Sequence, residues 1–161
     1  MDRPPRDPPE GPAGAGPAGA GPPGVLLLDE PADLVVLAHW RRLLTGWLAE
    51  TLTSLDLPAG ADLNAGPDLA EDIVLAVDEA VTNAVEHAYR DRSPGPVRLW
   101  ARDTGAGLTV VVGDYGCWRT PALDLGHRGR GLSVIRLLAG RLDLACTPAG
   151  TTVTMTWTAS L

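Results

Sequence analysis

The chain contains no lysine; all thirteen of its basic residues are arginine. That absence removes several mechanisms at once. P-loop NTPases need a phosphate-binding lysine, and ordinary protein kinases need one on a strand above the nucleotide. Schiff-base chemistry needs a lysine amine. Cysteine is nearly as scarce: Cys117 and Cys146 stand far apart, without a CxxC pattern. They read as two buried or half-buried thiols in a reducing compartment rather than as a disulfide. No basic segment followed by an apolar stretch opens the chain, so no signal peptide is expected. No apolar run approaches the roughly 20 residues that span a bilayer. A cytoplasmic location, with no membrane contact, is the expectation. The net charge of −7 argues against a nucleic-acid partner held by phosphate neutralisation.

The 161 residues suit one compact domain and a tail, long enough for a core without metal or disulfide support. Residues 1–24 are dominated by Pro, Gly and Ala, with GPAGA repeated at Gly11 and Gly16. Such a segment buries too little to offset its ordering entropy and is expected to be a disordered tail; the domain is residues 25–161. Val25–Asp29 reads as an edge or first strand. Asp33 is placed to cap a helix running to about Leu55, in which Leu34, Leu37, Trp40, Leu44, Trp47 and Leu48 recur at helical spacing. Trp40 and Trp47 share a face that reads as core, with an exposed partner or dimer surface as the alternative. Pro58 to Pro67 is expected to be loop. Asp68 should cap a second helix to about Tyr89, stopped by Ser93-Pro94-Gly95-Pro96.

Val97–Asp103 and Leu108–Gly113 read as a hairpin turning at Thr104-Gly105-Ala106-Gly107. A charged, Gly-containing stretch from Asp114 to Arg130 follows, then a short helix over Leu132–Ala139. Strands at Arg141–Thr147 and Thr151–Thr158 close the chain. The order predicts an α+β two-layer sandwich, with helices on one face of a mixed, mostly antiparallel sheet.

The second helix carries the chemistry. At about 100° per residue, Glu79, Asn83, Glu86 and His87 fall in one stripe away from the apolar positions. A solvated face would look similar. However, Asn is a poor helix-interior residue because its amide competes for backbone hydrogen bonds. Ala80, Ala84 and Ala88 leave room beside the polar row for a ligand or a close neighbour.

Glu79-Ala80-Val81-Thr82-Asn83-Ala84-Val85-Glu86-His87 resembles the N-box of the GHKL (Bergerat-fold) ATPases, in particular the anti-sigma-factor serine kinase branch. The resemblance implies that Asn83 holds a magnesium ion through its side-chain oxygen and that Glu79 is the general base. His87 matches the pattern, in a binding or a structural role. Asp114-Tyr115-Gly116 is similar to the G1 box, which implies an adenine-reading Asp114. A β-turn would use the same residues, and Trp118 stands where the family has a second glycine. Gly126-His127-Arg128-Gly129-Arg130-Gly131-Leu132 resembles the G2 box and lid. There Gly129 and Gly131 let backbone N–H groups approach phosphates, and Arg128 and Arg130 supply the positive charge. Leu132 opens the helix that follows. Thr151 resembles the family's terminal Gly-Thr strand, where the hydroxyl helps hold the base-reading Asp; strand propensity alone also favours Thr there.

These matches run in family order from about Asp33 to Trp157. They imply a Mg–ATP-dependent serine/threonine protein kinase that phosphorylates an anti-anti-sigma partner and sequesters a sigma factor, and they admit a homodimer. An ATP-binding regulatory module without kinase activity is the alternative, which the altered G1 box favours. The ATP-binding half of a sensor histidine kinase fits poorly, because the single helix before the N-box offers no dimerising hairpin.

Overall fold

The computed structural model describes residues 24–55, 62–63, 68–89, 93–116 and 130–160. The Pro/Gly tail, Cys117, Trp118, Arg128 and Gly129 lie outside that set. The first strand, β1 (Val25–Pro31), leads into α1 (Leu34–Ser54). Asp33 starts this helix as expected: its carboxylate accepts from the backbone N–H groups of Val35 and Val36, at 2.7 and 3.2 Å. Val36, Trp40, Leu44, Leu48 and Thr51 form its buried stripe, three or four residues apart. Trp47 packs partly buried beside them, so both tryptophans belong to the core.

A two-residue strand, β2 (Asp62–Leu63), interrupts the stretch expected to be wholly loop and pairs with the end of the last strand. Then comes α2 (Leu69–Asn83). Asp68 stands at its N-cap without a side-chain capping bond, so the cap read from the sequence is only positional; the N–H of Asp72 bonds the Asp68 carbonyl instead. The helix does not run unbroken to Tyr89. It widens into a π-helical turn, Ala84–Ala88.

The strands β3 (Pro96–Asp103), β4 (Gly107–Asp114), β5 (Arg141–Thr147) and β6 (Gly150–Ser160), with α3 (Arg130–Leu138) before β5, complete the fold. The sheet runs β1-β3-β4-β6-β5, and every pairing among the described residues is antiparallel. The expected α+β sandwich is present. Residues that alternate along each strand meet across the sheet and face the helices. One row is Leu28, Leu99, Val112 and Val153; the next is Leu26, Ala101, Val110 and Met155. Burying each such aliphatic side chain contributes about 1.5–3 kcal/mol. α2 meets them with Ile73, Ala76, Val77, Ala80 and Val81, all buried.

Two contacts orient the pieces around the site. The Trp157 indole N–H donates to the Leu138 carbonyl at 2.8 Å, fixing the C-terminal end of α3 on the sheet. At the β5–β6 turn, Gly150 has φ 142°, and a Cβ there would stand 1.9 Å from the Asp114 carbonyl oxygen. Only glycine lets this turn lie across the exit of β4.

Cys146 departs from expectation. It is exposed on β5, an edge strand, rather than buried. Burial of the thiol itself, with the Asp114 charge nearby, still pushes its pKa up.

Candidate functional site

Between α2 and the sheet lies a small, partly open cleft. Its walls are apolar. Ala80 and Ala84 form the helix side, Val112 and Val153 the floor, and Leu132 of α3 closes one flank. Alanines on α2 make the slot possible, because any larger side chain at those positions would fill it. Three polar residues line the same space: Asn83, Asp114 and Thr151.

Asp114 and Thr151 are partners across the β4–β6 ladder, so their side chains share the helix-facing side. The Asp114 carboxylate accepts from the Gly116 N–H at 2.9 Å. Burial raises its pKa above the ordinary value, and backbone N–H groups of Gly116 and Thr151 partly oppose that rise. The Thr151 hydroxyl is buried; beyond the Cys146 thiol opposite it on β5, it has no hydrogen-bond partner among the described residues. A buried hydroxyl beside a partly desolvated carboxylate, at the end of an apolar cleft, suits a ligand with a polar edge. An exocyclic amine and a ring nitrogen, or a water on it, suit that pair.

The other polar end is built where α3 begins against α2. A Cβ at Gly131 would stand 2.9 Å from Glu79 Oε2 and 3.2 Å from Asn83 Nδ2. Glu79 and Asn83, one turn apart, thus both reach the first turn of α3. The backbone N–H groups of that turn have no intrahelical acceptor and carry partial positive charge. An amide, a carboxylate and a helix N-terminus facing one another suit a phosphate chain with a hard cation. Mg²⁺ takes oxygen ligands, commonly only one or two from protein. No group of three or more His, Cys, Asp or Glu residues able to hold a metal occurs among the described residues.

Of the expected site residues, Asn83, Asp114, Leu132 and Thr151 line the cleft; Glu79 and Gly131 meet next to Asn83, and Gly116 is hydrogen-bonded to Asp114. Gly116 is needed for close approach: a Cβ there would stand 2.0 Å from the Ala88 carbonyl oxygen. His87 is different. From Ala84 to Ala88 the helix is a π-turn, so His87, four residues beyond Asn83, sits on a wider turn than the α-helix that carries Glu79 and Asn83. His87 is not among the residues lining the cleft, and its Nε2 lies 3.8 Å from Glu86. Arg130 opens α3, whereas Arg128 and Gly129 fall outside the described residues.

Sequence reasoning missed the apolar floor and Tyr89. Val112 and Val153 could have been found by period, since each lies two residues along a strand from a polar site residue. Tyr89 gave no such signal.

A family model described as "Histidine kinase-like ATPase domain" matches residues 31–157. Serine-protein kinase RsbW of Bacillus velezensis is 45% identical over 49 residues, which span 30% of this chain and 31% of that relative. Among solved structures, the RsbU and RsbW domains of a Mycobacterium tuberculosis protein superpose with a TM-score of 0.61 at 28% identity, covering 85% of this chain and 33% of that one. A blue-light activated histidine kinase from Erythrobacter litoralis matches in fold, with a TM-score of 0.51 at 22% identity over 88% of this chain and 66% of that one. The chain thus spans about a third of the length of the RsbW-related proteins it matches. No helix among the described residues is long and apolar enough to cross a membrane.

Proposed function

Because this chain belongs to the histidine kinase-like ATPase domain family, on its anti-sigma-factor serine kinase branch, we propose that it is a Mg–ATP-dependent protein kinase acting on a serine of an anti-anti-sigma partner. In this reading it also binds and holds a sigma factor, and phosphorylation of the first partner decides between the two complexes. The observation that carries the proposal is the two-ended cleft. A buried hydroxyl and a half-buried carboxylate stand at one end, and an amide–carboxylate pair against a helix N-terminus at the other.

Each residue has a task. Asp114 and Thr151 hold the purine edge, while Ala80, Ala84, Val112 and Val153 sandwich its faces. The first turn of α3 donates to phosphate oxygens, and Gly131 keeps that turn close to α2. The Asn83 amide oxygen is the protein's ligand to magnesium, which when bound neutralises charge on the phosphates. Glu79 takes the proton from the attacking serine hydroxyl as the new O–P bond forms and ADP departs with the old bridging oxygen. Arg128 and Arg130 add the cationic charge for which other kinases use lysine. His87, which matches the family pattern, serves a binding or a structural role.

The test is incubation with γ-labelled ATP, Mg²⁺ and a candidate anti-anti-sigma protein. Transfer should vanish in Glu79→Ala with ATP binding retained, and both should fail in Asn83→Ala. Trp118, in place of the second G1 glycine, favours a second reading: an ATP-dependent interaction module without catalysis. Partner binding that needs ATP but survives Glu79→Ala, with no transfer by the parent, would select it.

A further inference from the structure

Tyr89 lies just beyond the π-turn, with 9% of its surface exposed. Its hydroxyl donates to the Pro96 carbonyl at 2.5 Å and accepts from the Tyr115 N–H at 3.0 Å. Pro96 opens β3, and Tyr115 directly follows the last residue of β4. The β3–β4 ladder closes at the pair Val97 and Asp114. The Tyr115 amide is therefore one residue past that ladder, and the phenol supplies the acceptor the sheet does not. One oxygen thus ties three chain segments together beside the half-buried Asp114 carboxylate.

Neighbouring residues are shaped around this contact. A Cβ at Gly95 would stand 2.2 Å from Cε1 of the Tyr89 ring, so glycine makes space for it. Gly116, with a Cβ position 2.0 Å from the Ala88 carbonyl oxygen, lets the strand exit press onto the π-turn. From the outer face of the sheet, Arg98 donates to the Tyr115 hydroxyl at 2.6 Å and covers its ring at 5.3 Å, braced in turn by Asp29 at 2.6 Å. Asp114 is held between two fixed neighbours, Val97 across the ladder and the clamped Tyr115 next in chain. An i→i+5 turn admits one residue more than an α-turn. That extra arc, about 100°, gives Tyr89 a direction that an uninterrupted helix would not.

We infer that Tyr89 is a positioning residue for base recognition: by fixing the Tyr115 backbone, its hydroxyl decides where the Asp114 carboxylate meets a purine. This rests on the nucleotide reading above and deepens it. The residue touches no substrate and acts through Asp114. Its signature is therefore base discrimination rather than general affinity.

The test uses the full chain, with Mg–ATP and Mg–GTP titrated against wild type and Tyr89→Phe. Phenylalanine keeps the ring against Gly95 and removes only the hydroxyl. The preference for ATP over GTP should fall about tenfold, the size of one lost hydrogen bond, with GTP binding unchanged. An unchanged preference overturns the inference, as does equal weakening for both nucleotides, which marks general loosening. A wild type that binds neither nucleotide removes the functional reading itself, and this inference with it. Amide hydrogen exchange in the wild type gives a readout independent of whether the variant folds. Tyr115 should be protected although it lies beyond the ladder, and exchange at an unstructured rate refutes the clamp.

Discussion

Replacing Asp114 with Asn separates binding from stability in one substitution. The half-buried carboxylate has a raised pKa because partial desolvation disfavours its charge, against the help of the Gly116 and Thr151 N–H groups. The Asn side-chain oxygen can accept from those same groups, so the internal bonds survive while the buried charge disappears. The sign follows from linkage. With its folded pKa above the ordinary value of 3.8, the folded state binds more protons than the unfolded state just above that pH. The contribution of Asp114 to stability is thus present in acid and is lost as pH rises through the folded pKa, leaving a fixed penalty at neutrality. Asp114→Asn removes that penalty. Its melting temperature should equal or exceed that of wild type at pH 7, and the difference should shrink as the pH is lowered toward 4. Binding moves the other way. The carboxylate oxygen that would accept a purine amine becomes an amide, losing a charge-assisted bond of about 1.5–3 kcal/mol, or roughly 10- to 150-fold in ATP affinity. Thermal melts across pH and calorimetric titration with Mg–ATP read the two effects separately. Wild-type ATP affinity in the variant would refute the base-reading role. A variant clearly less stable than wild type at pH 7 would refute the account of the buried charge.

Gly131→Ala puts a methyl 2.9 Å from Glu79 Oε2 and 3.2 Å from Asn83 Nδ2. Both are ends of flexible side chains, and alanine gains about 0.8–1 kcal/mol of helix propensity. Urea unfolding should therefore show stability held or raised, while phosphoryl transfer drops at least tenfold; full transfer would free α3 from its assigned place. Gly150→Ala meets backbone instead, the Asp114 carbonyl oxygen at 1.9 Å, from a φ of 142°. Strain of that kind costs about 1–3 kcal/mol, and the displaced β4 exit should weaken ATP binding as well. A stable variant with normal affinity would sink the argument. Trp157→Phe leaves the Leu138 carbonyl without the indole donor now 2.8 Å away. Denaturant titration should report a loss of about 1–3 kcal/mol, and a loss below a few tenths would mean the carbonyl finds another donor.

Local chemistry made much of the architecture legible. The helix of Asp33 and its Val36, Trp40, Leu44 stripe could be read because a cap and a period of 3.6 are both properties of contiguous residues. The hairpin at Thr104–Gly107 was equally local. Asp68 misled because a capping residue type does not fix side-chain direction. The π-turn at Ala84 left no mark in a run of helix-forming residues, so the α-helix was read through to about Tyr89. Cys146 was placed inside by its type, whereas β5 turned out to be the sheet's edge, where no further strand covers it.

By itself the sequence determined what each segment can offer: an amide and a carboxylate one turn apart, alanines beside them, an aspartate at a strand exit, glycines before a helix. Contacts between distant segments needed the tertiary fold. Antiparallel register set Thr151 beside Asp114, the packing of α3 carried Gly131 onto Glu79 and Asn83, and Tyr89 found the amide of Tyr115. The reason is physical. Periodicity and capping act within a few residues, whereas a cleft arises where faces remote in the chain exclude water together, and no local pattern records which faces those will be.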